Sequence, residues 1–203
     1  MDPEPRDGSH YFDTDPAVRS ARATATLALP DLQLQFVTDR GVFSHGAVDA
    51  GTKLLLLEAP GPPVRGNLLD LGCGYGAIAV TVARRAPAAT VWAIDVNRRA
   101  RVLAEENARA AGTGNVIVVA PDDVPAGATF AAIYSNPPVR VGKRQLHALL
   151  DRWLGRLESG APAYLVVRKD LGADSLARWL GGRGYSVART ASRAGYRVLE
   201  VRR

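Results

Sequence analysis

At 203 residues, with 47% hydrophobic and 23% charged side chains and a formal charge of +6, the chain can bury a sizeable core as one soluble globular domain. No apolar run approaches the ~20 residues that span a bilayer, and Met1 to Ser9, acidic and proline-bearing, lacks the basic and apolar parts of a secretory signal, so a cytoplasmic protein is expected. A single cysteine, Cys73, excludes an internal disulfide, and His10, His45 and His147 have no ligand-like spacing, so no metal site is expected.

Residues 1 to about 20 carry few large apolar side chains and read as a mobile tail. Thr24 to Leu29, a Pro30-Asp31 turn and the alternating Leu32 to Val37 predict a hairpin, and Asp49 through Leu57 predicts a short helix that stops before Pro60-Gly61-Pro62-Pro63. From Asn67 onward, short buried runs alternate with helical ones. Strands are expected at 68–71, 90–95, 115–119, 130–135 and 163–168, with helices at 76–85, 98–111, 144–158 and 175–181 between and after them. That alternation is the pattern of a doubly wound α/β sheet with right-handed crossovers. A closing hairpin, 185–190 and 196–201, flanks Ala194-Gly195. Residues 21–203 thus read as one domain, a hairpin and short helix over 21–62 preceding the sheet core of 63–203.

Asp70-Leu71-Gly72-Cys73-Gly74-Tyr75-Gly76 falls where the first core strand meets the first core helix. Glycines there allow a sharp turn and let a ligand approach without meeting a Cβ. Gly72, Gly74 and Ala77 also satisfy the loose dinucleotide-binding pattern, so the loop alone is ambiguous. Asp70 ahead of the first glycine, the third glycine Gly76 and the ~60 residues before this strand favour S-adenosylmethionine over a dinucleotide. Asp95, about 20 residues on at the next strand end, can accept both ribose hydroxyls of either ligand, with Val96 beside it. In Pro121-Asp122-Asp123, Asp122 can take an adenine amino group or simply belong to a polar turn. Cys73 reads as a small packing residue.

Ser135-Asn136-Pro137-Pro138-Val139-Arg140 ends a buried strand with an asparagine and two prolines. An exocyclic amine is a poor nucleophile because its lone pair is delocalised. Two acceptors placed along its N–H directions, the Asn136 side-chain oxygen and the Pro137 carbonyl, would pull it out of plane, and proline holds that geometry stiffly. With Asp70-x-Gly72-x-Gly74-x-Gly76 and Asp95, this string resembles the signature of class I amino methyltransferases. Gly41-Val42-Phe43-Ser44, Asp49-x-Gly51-Thr52 and Asn136-Pro137-Pro138-Val139-Arg140-x-Gly142-Lys143 further resemble the small-subunit ribosomal RNA guanine-N2 methyltransferases (RsmC-like), in a compact form.

The resemblance, over about residues 10 to 203, implies a Rossmann-like seven-stranded sheet whose last strand is antiparallel, with S-adenosylmethionine as cofactor. It implies cofactor contacts from the glycine loop, Asp95 and Asp122, with Phe43, Ser44 and Thr52 closing the pocket. Val139 stands where adenine-modifying relatives carry an aromatic, which favours guanine. Pro138 and Val139 are then expected against the base, and Arg140, Lys143 and Arg144 are either phosphate contacts or ordinary helix-surface charge. Longer relatives carry an extra domain for which this chain has no room. The rival readings are a protein glutamine or small-molecule amine methyltransferase, and a non-catalytic S-adenosylmethionine-binding RNA module.

Overall fold

The computed structural model describes residues 18–203. The expected tail, up to residue 17, and His10 with it, lie outside the described residues. Strands β1 (Ala23–Ala28) and β2 (Gln33–Thr38) form the antiparallel hairpin, and helix α1 (Ala50–Glu58) follows. Then come β3 (Asn67–Leu71), α2 (Ala77–Arg85), β4 (Thr90–Ile94), α3 (Arg98–Ala110), β5 (Val116–Val119) and β6 (Ala132–Ser135). The chain finishes with α4 (Lys143–Leu154), β7 (Pro162–Arg168), α5 (Ala173–Gly182), β8 (Ser186–Arg193) and β9 (Tyr196–Arg202).

Strands β3 to β9 make one seven-stranded sheet in the order β5-β4-β3-β6-β7-β9-β8. Neighbours from β5 to β7 are parallel, while β9 runs antiparallel to both β7 and β8. The sheet therefore has the last-strand-antiparallel form expected from the sequence. One face is covered by α1, α2 and α3: α1 lies over β7 and β9, while Val80 of α2 and Leu103 of α3 are buried in one cluster with Leu68 of β3 and Val91 of β4. On the other face, α4 and α5 bury Leu150, Trp153 and Leu180 against Leu69, Ile133 and Leu165. Strand order reverses between β3 and β6, the crevice where open α/β sheets bind ligands at their carboxyl ends.

Two of the boundaries that differ from the sequence reading share one cause. Helix α4 ends at Leu154 rather than near Glu158, because Gly155 caps it and the following residues turn extended beside Phe130. There Phe130 N–H donates to the Arg156 carbonyl (2.9 Å) and its own carbonyl accepts from Glu158 N–H (3.0 Å), so the same pairing removes Phe130 from the regular β6 ladder. The hairpin is clipped to the core by the buried Asn107 of α3. Its oxygen accepts from Val37 N–H (2.8 Å), and its nitrogen donates to the carbonyls of Val37 (2.9 Å) and Tyr75 (2.8 Å).

Candidate active site

The loops after β3, β4 and β6 meet in a cavity of about 650 Å³, within the range of small-molecule sites. The segment Gly41 to Phe43 reaches over it from the hairpin side, because Asn97 Nδ2 donates to the Gly41 carbonyl (2.8 Å). Val166, Val167, Arg168 and Tyr196 close it on the side of β7 and β9.

Gly72 and Gly74 line the cavity, and both have positive φ, at 77° and 54°. A Cβ on Gly74 would meet nothing within 4 Å, so this stretch of backbone faces open space. Gly76 has a different task. At φ 90° it starts α2, and a Cβ there would lie 3.2 Å from the Ala104 backbone, so the glycine lets α2 pack closely against α3.

Asp95 joins the two loops. Its Oδ2 accepts from Gly74 N–H and its Oδ1 from Asn97 N–H, both at 2.9 Å, which leaves each oxygen a further lone pair on the cavity side. Burial pushes its carboxyl above the ordinary range, while the Asn97 and Gly74 N–H groups and Arg101 oppose that shift. Arg101 also holds the loop from behind, donating to the carbonyls of Asp95 and Val96 at 2.8 Å.

Asp70 is buried beneath the glycine loop, with Oδ2 accepting from Ala79 N–H (2.9 Å), so it braces the first turn of α2 and does not line the cavity. Burial pushes its carboxyl up to about 8, helped by the charge of Asp95 and opposed by the Ala79 bond. Cys73 is buried, and its thiol is pushed well up by that burial and by the two carboxylates.

Asn136 and Pro137 stand at the end of β6, lining the cavity with Pro138, Val139 and Arg140. Asn136 Nδ2 donates to Asp49 Oδ2 (2.8 Å) and Thr52 Oγ1 (3.1 Å), which turns Oδ1 away from both. The Pro137 carbonyl, one of the two expected acceptors, already accepts from Val139 N–H at 2.8 Å. Pro138, at φ −75° and ψ 73°, is the centre of an inverse γ-turn that makes this bond. One lone pair is thereby used to set the direction of the other.

Several expected contacts lie elsewhere. The Asp122 side chain is 89% exposed and ion-paired with Arg152 (2.8 Å), because α4 presents Arg152 to the turn after β5. Ser44, in the left-handed region at φ 60°, spends its hydroxyl on the Ala47 carbonyl (2.6 Å), and Thr52 is buried against Asn136. Of the expected trio only Phe43, 60% exposed, borders the cavity. Lys143 and Arg144 are exposed on the first turn of α4, outside the lining, whereas Arg140 borders it.

The sequence reading did not single out Asn97, Arg101, Arg168 or Tyr196 and took Asp49 only as part of a motif. Asn97 caps α3 and Asp49 caps α1, each accepting an N–H three residues on, so capping chemistry was a visible signal for both. Nothing local marked Tyr196, which donates to Asp49 Oδ1 (3.2 Å) across 147 residues.

A family model described as the methyltransferase small domain matches residues 33–200. The "Uncharacterized protein YbxB" of Bacillus subtilis (strain 168) is 34% identical over 197 residues, covering 96% of this chain and 98% of that protein. The "Ribosomal RNA small subunit methyltransferase C" of Pseudomonas paraeruginosa is 37% identical over 152 residues, 72% of this chain and 45% of that enzyme. Among solved structures, the T. thermophilus 16S rRNA N2 methyltransferase RsmC, in complex with AdoMet and guanosine, superposes with a TM-score of 0.74 at 25% identity. That match covers 93% of this chain and 52% of that one. The chain therefore spans about half the length of the ribosomal RNA methyltransferases it matches, and nearly all of the Bacillus protein.

Proposed function

Since the chain belongs to the methyltransferase small domain family, we propose that it transfers a methyl group from S-adenosylmethionine to an exocyclic amine of an RNA base in the cytoplasm. The acceptor is guanine N2 of small-subunit ribosomal RNA. The observation that carries this reading is the paired-acceptor end of β6, where Asn136 Oδ1 is turned away from its two anchoring partners beside the Pro137 carbonyl.

The residues present fit the cofactor. Gly72 and Gly74 offer bare backbone on the cavity wall, and each Asp95 oxygen keeps an acceptor site in reach of a ribose diol. Phe43 and Gly41 cover that half of the cavity. When bound, S-adenosylmethionine supplies an electrophilic methyl on a sulfonium whose C–S bonding pair returns to sulfur.

Asn136 Oδ1 and the Pro137 carbonyl accept the two N–H groups of the amine, which directs its lone pair out of the ring plane toward the methyl. This is catalysis by positioning and by preorganised dipoles. No protein base is needed, because the methylated nitrogen sheds its surplus proton to water after transfer. Val139, in place of an aromatic, leaves room beside the base, and Arg140 at the rim meets the phosphate backbone. The names of the matched Pseudomonas and T. thermophilus enzymes support the RNA substrate.

The test is transfer of tritiated methyl to unmethylated small-subunit RNA, followed by nucleoside analysis. N2-methylguanosine is expected; label that enters only protein or small molecules would discard the reading.

A further inference from the structure

An asparagine amide fits its slot in two orientations that exchange oxygen and nitrogen. At Asn136 only one of them puts an acceptor on the cavity; the other would present an NH₂ group to an incoming amine and repel it. The choice is made by groups that come from other parts of the chain.

Asn136 Nδ2 spends its two hydrogens on Asp49 Oδ2 (2.8 Å) and Thr52 Oγ1 (3.1 Å). The threonine hydroxyl can donate or accept and would tolerate either orientation. A carboxylate only accepts. Turning the amide over would set Asn136 Oδ1 against Asp49 Oδ2 with no hydrogen between them, so Asp49 discriminates where Thr52 does not.

Asp49 is itself held on both oxygens. Its Oδ2 also accepts from Thr52 N–H (3.0 Å) as the cap of α1, and its Oδ1 accepts from the Tyr196 hydroxyl (3.2 Å) at the start of β9. The Tyr196 ring lies directly on Gly51, where a Cβ would come within 2.5 Å of a ring carbon. The α1 cap, the β6 end and the closing hairpin thus converge on one side-chain amide.

We propose that Asp49 is a positioning residue of this site, which locks the Asn136 amide so that the end of β6 presents acceptors alone to the nucleophile and thereby selects one bearing two N–H groups. The inference rests on the amine-methylation reading above and extends it to substrate chemistry. A hydroxyl nucleophile carries one hydrogen and would leave one buried acceptor unmatched, the kind of mismatch by which polar sites discriminate strongly. The negative charge of Asp49 also polarises the amide it binds, strengthening Oδ1 as an acceptor.

Two substitutions separate orientation from charge. In Asp49→Ser the helix cap survives but the side chain is too short to reach Asn136. In Asp49→Asn the new oxygen can serve both Thr52 N–H and Asn136 Nδ2 while its NH₂ donates to the Tyr196 oxygen, so orientation is kept and charge is lost. Methyl transfer to small-subunit RNA is expected to fall at least tenfold in kcat for Asp49→Ser, with unchanged affinity for S-adenosylhomocysteine, and Asp49→Asn recovers most of that loss. In an Asn136→Ala background, Asp49→Ser costs nothing further.

A second readout does not depend on turnover. In ¹⁵N-labelled protein without substrate, both side-chain amide protons of Asn136 exchange slowly with solvent, and Asp49→Ser speeds them at least tenfold. Protection that persists in Asp49→Ser, or kcat losses that multiply in the double variant, would overturn the proposal. If the unaltered protein transfers no methyl to RNA, the functional reading fails while amide exchange still decides the role of Asp49.

Discussion

Removing the Asp95 carboxylate is the sharpest probe of the cofactor half of the cavity. Each of its oxygens already accepts one loop N–H at 2.9 Å, which leaves two acceptor directions for a ribose diol. Two hydrogen bonds to a charged group contribute about 1.5–3 kcal/mol each, so Asp95→Ala should weaken S-adenosylhomocysteine binding by about 10²- to 10⁴-fold. The same substitution also frees the N–H groups of Gly74 and Asn97, and a deformed loop would bind poorly whether or not Asp95 touches the ribose. A ligand cycle separates the two effects. By titration calorimetry, removing the 2′-hydroxyl from the ligand should cost the unaltered protein at least about tenfold in Kd, and Asp95→Ala less than about threefold. Equal penalties in the two proteins would refute the assignment. The carboxyl, pushed up by burial, should ionise more readily once hydroxyls donate to it, so binding releases protons and affinity climbs with pH before levelling.

Asp70 sets a stability gradient of opposite sense to the usual carboxylate. Its folded-state value of about 8 lies above its ordinary 3.8, so between those limits the native chain holds a proton that the unfolded chain has shed. Stability from this group is fully present below about pH 4, falls by about tenfold in the folding constant per pH unit, and levels above about 8. Urea unfolding of Asp70→Asn from about pH 5 to 7 should lack that slope; parallel curves for the two proteins would contradict it. Asn107→Leu strands one N–H and two carbonyls at the hairpin junction, at about 1–3 kcal/mol per buried group. Amides of β1 and β2 should then exchange at least a hundredfold faster, and unchanged exchange would show that the hairpin is held by other contacts.

The order of elements was legible because each carries its own period. Alternation marked β2, buried runs marked the core strands, and Gly and Pro punctuated nearly every boundary. Legibility failed where a distant group intervened. Helix α4 stops early because Phe130 pairs with the residues beyond Gly155. Asp122 read either as an adenine contact or as part of a polar turn, and it is Arg152 of α4 that ties it to the surface. The Pro137 carbonyl lacks a proline N–H as a competitor but meets that of Val139, a fact of turn geometry rather than of residue type.

Residue types and spacing were enough to single out Gly72, Gly74, Asp95 and the Asn136-Pro137 pair, all of which line the cavity, since each was chosen for what its own side chain or backbone can do. Which way those groups point was decided by folding alone. Asp49 lies 87 residues from Asn136 and 147 from Tyr196, and no local pattern encodes a hydrogen bond across such distances. Periodicity and capping are properties of neighbouring residues, so they survive in the linear chain. The direction of an amide comes from partners that only the packed sheet brings together.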